Sequence, residues 1–242
     1  MATVIIPARY DSTRLPGKPL VKINGVTMIN RVASRCLLSK ADRVIVVTDD
    51  VRILEECEKI DGLECVMSDK NIKTGSDRVA KVAKYIDDDI IINVQGDEPF
   101  IDPKLINDLI DSMVANSDIN MITACCEIAE EEASDPNVVK VVVDKNNDAL
   151  YFSRQMIPFV RDDNKIMYKK HIGIYGFRKN YLFKFTEMGE GELEKCEKLE
   201  QLRVLENGDK IRVLMTDYKP VCVDTMEDVK KAEEIAKEID NG

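Results

Sequence analysis

No apolar run in this chain reaches the roughly 20 residues that a helix needs to cross a bilayer, which excludes a membrane-spanning reading. Nor is there an excess of positive charge. With 35 Lys and Arg against 45 Asp and Glu the net charge is −10, and long-range repulsion from such a surface opposes broad association with nucleic acid or anionic membranes. The seven cysteines, at positions 36, 57, 65, 125, 126, 196 and 222, contain no Cys-x-x-Cys pair, and their number is odd. With no signal-like N-terminus either, they read as reduced thiols of a cytoplasmic protein, mostly small apolar core residues rather than disulfide, metal or redox sites. Internal repeats, low-complexity tracts and flexible linkers are missing too. What remains, 242 residues with 44% hydrophobic and 33% charged, is the composition of one large globular domain or a domain with an added lobe.

The first half alternates two kinds of segment. Short apolar runs at 4–6, 43–48 and 90–95 suit strands buried on both faces, as in a parallel sheet. Between them, 28–39, 51–60 and 76–85 have helical spacing, and Leu105, Ile106, Leu109, Ile110 and Met113 mark an amphipathic helix starting at Pro103. That rhythm predicts an α/β fold, Rossmann-like, with a mainly parallel central sheet flanked by helices. Ligands in such sheets collect at the carboxyl ends of the strands, where the 7–18 loop, Thr48-Asp49 and Gly96-Asp97 would lie. After about residue 121 strands and turns dominate, at 121–126, 138–143, 149–152 and 172–177, with turn signals at Asn146-Asn147 and Asp162-Asp163-Asn164. We therefore divide the chain into 1–125, an α/β part; 126–205, a smaller strand-rich lobe; and 206–242, a return strand at 211–215 with a closing amphipathic helix.

The polar residues gather at a few places. Ile5-Ile6-Pro7-Ala8-Arg9-Tyr10-Asp11-Ser12-Thr13-Arg14-Leu15-Pro16-Gly17-Lys18-Pro19-Leu20 joins a short apolar strand to three cations. Arg9, Arg14 and Lys18 can bond phosphate oxygens, Gly17 admits close approach of the main chain, and the prolines stiffen the loop. It is not a Walker loop, which needs Gly-x-x-x-x-Gly-Lys-Ser/Thr. Each cation alone is as readily a solvated surface charge. Val94-Gln95-Gly96-Asp97-Glu98-Pro99 ends a buried strand on a glycine followed by two carboxylates, where Asp97 can bind a Mg²⁺ that bridges phosphates; an ordinary turn carboxylate is the alternative. Lys73-Thr74-Gly75-Ser76-Asp77-Arg78 puts hydroxyls and a glycine at a helix start, a setting that offers donors to a polar ligand, although Ser76 can equally be a plain N-cap and Arg78 an exposed helix residue. Val223-Asp224-Thr225 precedes the last helix, with Thr225 and Asp228 as a capping arrangement. Farther on, Arg154 suits a carboxylate, and strand alternation puts His171, Gly173, Tyr175 and Phe177 on one face.

In its full wording the N-terminal motif resembles the signature of sugar nucleotidyltransferases, specifically the cytidylyltransferases that activate 3-deoxy-2-ulosonic acids. The resemblance extends from Val4 to the last helix. It implies that Arg9, Arg14 and Lys18 hold the triphosphate of CTP, the co-substrate, with Lys18 also catalytic. It implies that Thr74, Ser76, Arg78 and Gln95 meet cytidine, and that Asp97 and Asp224 share Mg²⁺. Segments 151–154 and 171–178, with Leu199-Glu200-Gln201-Leu202-Arg203, resemble the sugar-binding part of the members acting on 3-deoxy-manno-octulosonate (Kdo), which makes Arg154, His171, Tyr175, Glu200 and Gln201 the sugar contacts. The implied enzyme is a nucleotidyltransferase that turns CTP and Kdo into CMP-Kdo and diphosphate, through direct attack of the anomeric hydroxyl on the α-phosphate. It would serve lipopolysaccharide biosynthesis as a cytoplasmic homodimer joined through the smaller lobe, with no nucleic-acid or membrane partner. Phe177 in place of a tyrosine, Phe159 and the short 160–170 connection depart from the pattern, and they leave open another ulosonic acid, such as 8-amino-Kdo or a nonulosonic acid. Further alternatives are a nucleotidyltransferase for sugar phosphates and a noncatalytic nucleotide-binding regulator.

Overall fold

The structure, a computed structural model, describes residues 1–12, 14–72, 74–162 and 166–240. Thr13, Lys73, Asp163 and Asn164, each part of a motif or turn named above, lie outside the described residues. Two compact units emerge, Met1–Asp111 with Pro220–Gly242, and Ser112–Lys219.

In the first unit β1 (Ala2–Ala8) runs parallel to β4 (Arg43–Thr48) on one side and β6 (Ile90–Asn93) on the other, and β4 runs parallel to β5 (Glu64–Met67). Val4, Ile5, Ile6, Val46, Ile91 and Ile92 are fully buried, as strands covered on both faces require. Helices α1 (Met28–Leu37), α2 (Val51–Cys57), α3 (Gly75–Ala83) and α4 (Pro103–Ala115) alternate with these strands, and β2 (Lys22–Ile23) and β3 (Val26–Thr27) form a small hairpin. This is the expected Rossmann-like α/β arrangement. The C-terminal helix, Met226–Asp240, joins a separate apolar cluster. That cluster gathers Leu15 from the N-terminal loop, Phe100 beyond β6, Val223 ahead of the helix, and Val229, Ala232 and Ala236 within it.

In the second unit β7 (Met121–Ile128) is antiparallel to β10 (Tyr168–Arg178) and parallel to β11 (Arg212–Met215); β8 (Lys140–Val143) is antiparallel to β10 and to β9 (Ala149–Ser153). Because β7 and β11 pair with each other, both fall here, and the contact boundaries lie at 111/112 and 219/220, where sequence rhythm suggests 125/126 and 205/206. The strand at 211–215 thus returns to β7. Helix α5 (Glu130–Ala133) follows β7, and α6 (Lys179–Glu187), α7 (Glu192–Glu197) and α8 (Leu202–Glu206) follow β10.

All seven cysteines are free: Cys36, Cys57, Cys125 and Cys126 are buried, Cys65 is half-buried, and Cys196 and Cys222 are exposed. Among the described residues no helix is long and apolar enough to cross a membrane.

A buried ion pair fixes α7 against α8. Arg203 donates from Nε to Glu194 Oε2 (2.7 Å) and from Nη2 to Oε1 (2.5 Å), with the two side chains 10% and 9% exposed. Removing one partner strands a charge in a poorly solvated place. Glu194→Ala is expected to cost about 3–5 kcal/mol of unfolding free energy in urea titration, and a paired replacement of Glu194 and Arg203 by Leu and Met clearly less.

Candidate active site

Since β1, β4 and β6 are parallel, their carboxyl ends share one edge, and the loops that leave it carry the polar residues. After β1 the chain passes exposed Arg9 and Arg14 and reaches Gly17, whose φ of 66° is a left-handed conformation that glycine takes without strain. A single 3-10 turn over Lys18–Leu20 follows. Lys18 points its Nζ between two acids, 2.6 Å from Asp97 Oδ2 and 2.7 Å from Asp224 Oδ1, and Arg14 Nη2 lies 3.0 Å from the second oxygen of Asp224.

Burial alone would lower the pKa of the Lys18 ammonium, but the charges and hydrogen bonds of Asp97 and Asp224 outweigh it and leave the group raised. Two features bring the acids together. The Val223 amide donates to the Asp97 carbonyl at 3.0 Å, tying the two loops side by side. Asp228 then accepts from the amides of Thr225 (2.9 Å) and Asp224 (3.2 Å) and from Thr225 Oγ1 (2.8 Å), while its own amide donates to Thr225 Oγ1 (3.2 Å). This is the expected capping arrangement, and it leaves the Asp224 carboxylate to face Lys18. Glu98, next to Asp97, is buried and accepts from Cys222 Sγ at 2.8 Å.

Among the described residues no three His, Cys, Asp or Glu side chains come together as a metal site. The donor set is thus two carboxylates that converge on one cationic atom. That fits magnesium, which commonly takes one or two carboxylates and completes its octahedron with water and phosphate oxygens.

The loop before α3 sets aside the plain-cap alternative for Ser76. Thr74, not Ser76, is the N-cap, and its Oγ1 accepts from the Asp77 amide at 3.0 Å; Ser76 lies in the first turn, buried. Gln95 bonds Asn93 Oδ1 through Nε2 at 3.4 Å, and its Oε1 lies 4.0 Å from where a Cβ on Gly75 would stand. A Cβ on Gly96 would stand 3.1 Å from the Pro7 carbonyl oxygen, a tight contact that glycine avoids. Arg78 is not exposed: its guanidinium is buried, with Nη2 2.9 Å from Asp49 Oδ2 and Nη1 on Ser68 Oγ.

The second unit holds the remaining candidates. Between Ile172 and Tyr175 the pairing of β10 with β7 skips two residues, so alternation survives the bulge and the aromatic face stays intact. Ring centroids run from Phe152 to His171 (5.0 Å), to Tyr175 (5.6 Å), to Phe177 (6.1 Å) and to Phe185 (5.5 Å). His171 Nε2 lies 3.0 Å from Thr123 Oγ1, and burial lowers its pKa to about 3, so the imidazole is neutral. Burial, assisted by the charge of nearby Glu200, raises Tyr175 and keeps its phenol protonated.

Arg154 donates from Nε to the Glu197 carbonyl (2.8 Å) and from Nη1 to the Pro136 carbonyl (3.2 Å), which accounts for two of its five donors. Gln201 is buried, and its Nε2 has no hydrogen-bond partner among the described residues. Phe159, one of the departures in the motif, is 88% exposed, whereas Phe177 is fully buried.

Two supports were not read from sequence. Lys140, fully buried, gives its three protons to the carbonyls of Asp135 (3.1 Å), Val138 (2.6 Å) and Arg154 (2.5 Å). Glu197 accepts from Ser153 Oγ (2.6 Å) and the Arg154 amide (3.0 Å). Lys140 opens an apolar strand, the only sequence sign that its charge is taken inside.

The chain matches the family described as Cytidylyltransferase over residues 3–211. It is 47% identical to a Fusobacterium nucleatum protein named 3-deoxy-manno-octulosonate cytidylyltransferase, over 97% of this chain and 96% of that one. It is 44% identical to a Shewanella pealeana protein named 8-amino-3,8-dideoxy-manno-octulosonate cytidylyltransferase, with 96% of each covered. Among solved structures, CMP:2-keto-3-deoxy-manno-octonic acid synthetase in complex with CTP superposes with a TM-score of 0.94 at 38% identity, covering 98% of both chains. The expected α/β fold and the resemblance carried by the loop motifs therefore meet in one conclusion: this chain belongs to the cytidylyltransferase family.

Proposed function

We propose that this protein transfers the cytidylyl group of CTP to the anomeric hydroxyl of 3-deoxy-manno-octulosonate, giving CMP-Kdo and diphosphate. The observation that carries the reading is the convergence of Lys18, Asp97 and Asp224 beside Arg14, at the carboxyl edge of the parallel strands, in a chain of this family. The acceptor oxygen bonds the α-phosphorus as the bond to the β-phosphate oxygen breaks. Diphosphate leaves with that electron pair, and the hydroxyl proton passes to solvent.

No side chain needs to become a nucleophile, so the protein's contribution is alignment and compensation of charge. Arg9, Arg14 and Lys18 hold the polyphosphate and the charge that grows on the leaving group. Thr74, Ser76 and Gln95 face the nucleoside, with Arg78 behind them. Asp97 and Asp224 would hold magnesium, which when bound acidifies the attacking hydroxyl and offsets phosphate charge. In the second unit Arg154 meets the sugar carboxylate, while His171, Tyr175, Glu200 and Gln201 bond its hydroxyls. The unpartnered donor of buried Gln201 supports that assignment, because such a group normally has a partner. On the same reading the protein is a cytoplasmic homodimer, supported by the exposed apolar side chains Leu150, Phe159 and Met167 of the second unit.

Mass spectrometry of products from CTP and a panel of acceptors tests the reaction. CMP-Kdo from Kdo, and nothing from sugar 1-phosphates, is the expected result; preference for the 8-amino analogue would move the chain to that substrate, and CTP binding without turnover on the panel would make it a nucleotide-binding regulator.

Asp97→Asn and Asp224→Asn are each expected to lower kcat by about 100-fold or more, equivalent to about 2.7 kcal/mol, with little change in thermal midpoint. Near-normal turnover at saturating magnesium in either variant removes that residue from the mechanism. Lys18→Ala should raise KM for CTP about tenfold or more, the loss of a charged hydrogen bond.

A further inference from the structure

The N-terminal loop is anchored by more than the ion pairs of Lys18 and Arg14. Its Tyr10 amide donates to Asp49 Oδ1 at 3.2 Å, and the other carboxylate oxygen of Asp49 takes the Arg78 guanidinium at 2.9 Å. Asp49 and Arg78 are 12% and 3% exposed at the side chain, so the pair is little screened by water. The Tyr10 ring then has two neighbours. The Arg52 guanidinium carbon lies 3.6 Å from its centroid, and Arg52 is in turn oriented by two bonds to Asp50, at 2.8 and 2.7 Å. Gly17 also stands against the ring: a Cβ there would come within 3.2 Å of the Tyr10 ring and hydroxyl, and the Gly17 amide donates to the Tyr10 carbonyl at 3.2 Å. The next residue is Lys18.

The connections therefore run from α3 to the Asp49 carboxylate, to the Tyr10 main chain and ring, to Gly17, and on to the ammonium between Asp97 and Asp224. We propose that Asp49 is a positioning residue for nucleotide binding, a latch between the nucleoside loop and the phosphate loop, and that Arg78 acts through it rather than by touching CTP. The inference deepens the function proposed above and rests on it for the identity of the nucleotide. The loop carries Arg9 and Arg14 on an exposed stretch, and fixing the loop in advance reduces the ordering that binding would otherwise require. Removal of the latch should therefore weaken CTP binding while leaving the chemistry of the bound complex largely as it was. A role in transferring protons or neutralising the transition state would instead lower kcat.

Asp49→Asn is nearly isosteric and removes the charge that Arg78 holds. The expected result is a rise of about tenfold or more in the calorimetric Kd and the KM for CTP. The kcat at saturating CTP should stay within about threefold, and KM for the ulosonate should be unchanged. In the nucleotide-free protein, amide hydrogen exchange should speed up over residues 10–18. The double variant Asp49→Asn with Arg78→Gln should bind CTP no worse than the weaker single variant, since both break one connection. Circular dichroism shows whether each variant is folded, and Arg78→Lys serves if Arg78→Gln is not.

Unchanged CTP affinity and unchanged exchange in Asp49→Asn would overturn the proposal, and additive losses in the double variant would return Arg78 to direct contact with nucleotide. If the wild-type protein binds CTP but transfers it to no ulosonate, the functional reading fails while the binding and exchange measurements still decide the latch. A wild-type protein that binds no CTP overturns both.

Discussion

Two carboxylates placed side by side repel each other, so a fold that brings Asp97 to Asp224 is favoured by positive charge between them. Here that charge is Lys18, 14% exposed at its side chain, with Arg14 reaching Asp224 from the solvent side. The consequence is mutual dependence. Without the acids burial would disfavour the ammonium, and without the ammonium the acids would disfavour each other. The two carboxylates would hold a divalent ion by the same geometry, so one donor set suits either an ammonium or a metal between its oxygens. Triphosphate oxygens give the lysine an alternative partner, which is why a residue paired with acids here can also belong to a nucleotide site.

Apolar residues decide where these polar ones meet. Leu15 lies three residues before Lys18, Phe100 three after Asp97, and Val223 one before Asp224, and all three enter one buried cluster with Val229 and Ala232 of the C-terminal helix. Packing of that cluster is insensitive to pH and salt, unlike the ion pairs it positions. The bond between the Val223 amide and the Asp97 carbonyl then sets register. The helix at the far end of the sequence thus belongs functionally to the first loop, which explains why the first unit takes in Pro220–Gly242.

How much of this could be read from the chain varies with the range of the interaction. β4 coincides with the apolar run at 43–48, and α4 begins at Pro103, because burial and a helix-start proline leave local marks. β5 leaves no such mark, because Glu64, Val66 and Met67 are exposed and carry no buried-strand pattern. Thr74 and Ser76 have equal chemical claims to the cap, and only the backbone decides between them. The motifs present Lys18, Asp97 and Asp224 separately, and only the family resemblance pairs the two acids. Their common contact spans 79 and 206 positions, a separation at which no periodicity or spacing rule operates. Arg78 shows the opposite limit, since a guanidinium in a polar loop reads as ligand-facing until its partner, Asp49, is seen inside the protein.

The candidate residues of the two units differ in charge. The first presents an ammonium and guanidinium groups, suited to the several negative charges of a triphosphate. In the second, His171 cannot share such work at neutral pH, because its ring is kept uncharged between Phe152 and Tyr175 and beside Thr123. Of the candidates there, Arg154 alone is a cation, and its backbone is pinned by Glu197 and Lys140. A neutral imidazole, a protonated phenol and the amide of Gln201 offer directional bonds without net charge, beside the carboxylate of Glu200. On the function proposed above, such a set would select among hydroxyl patterns by geometry around one guanidinium.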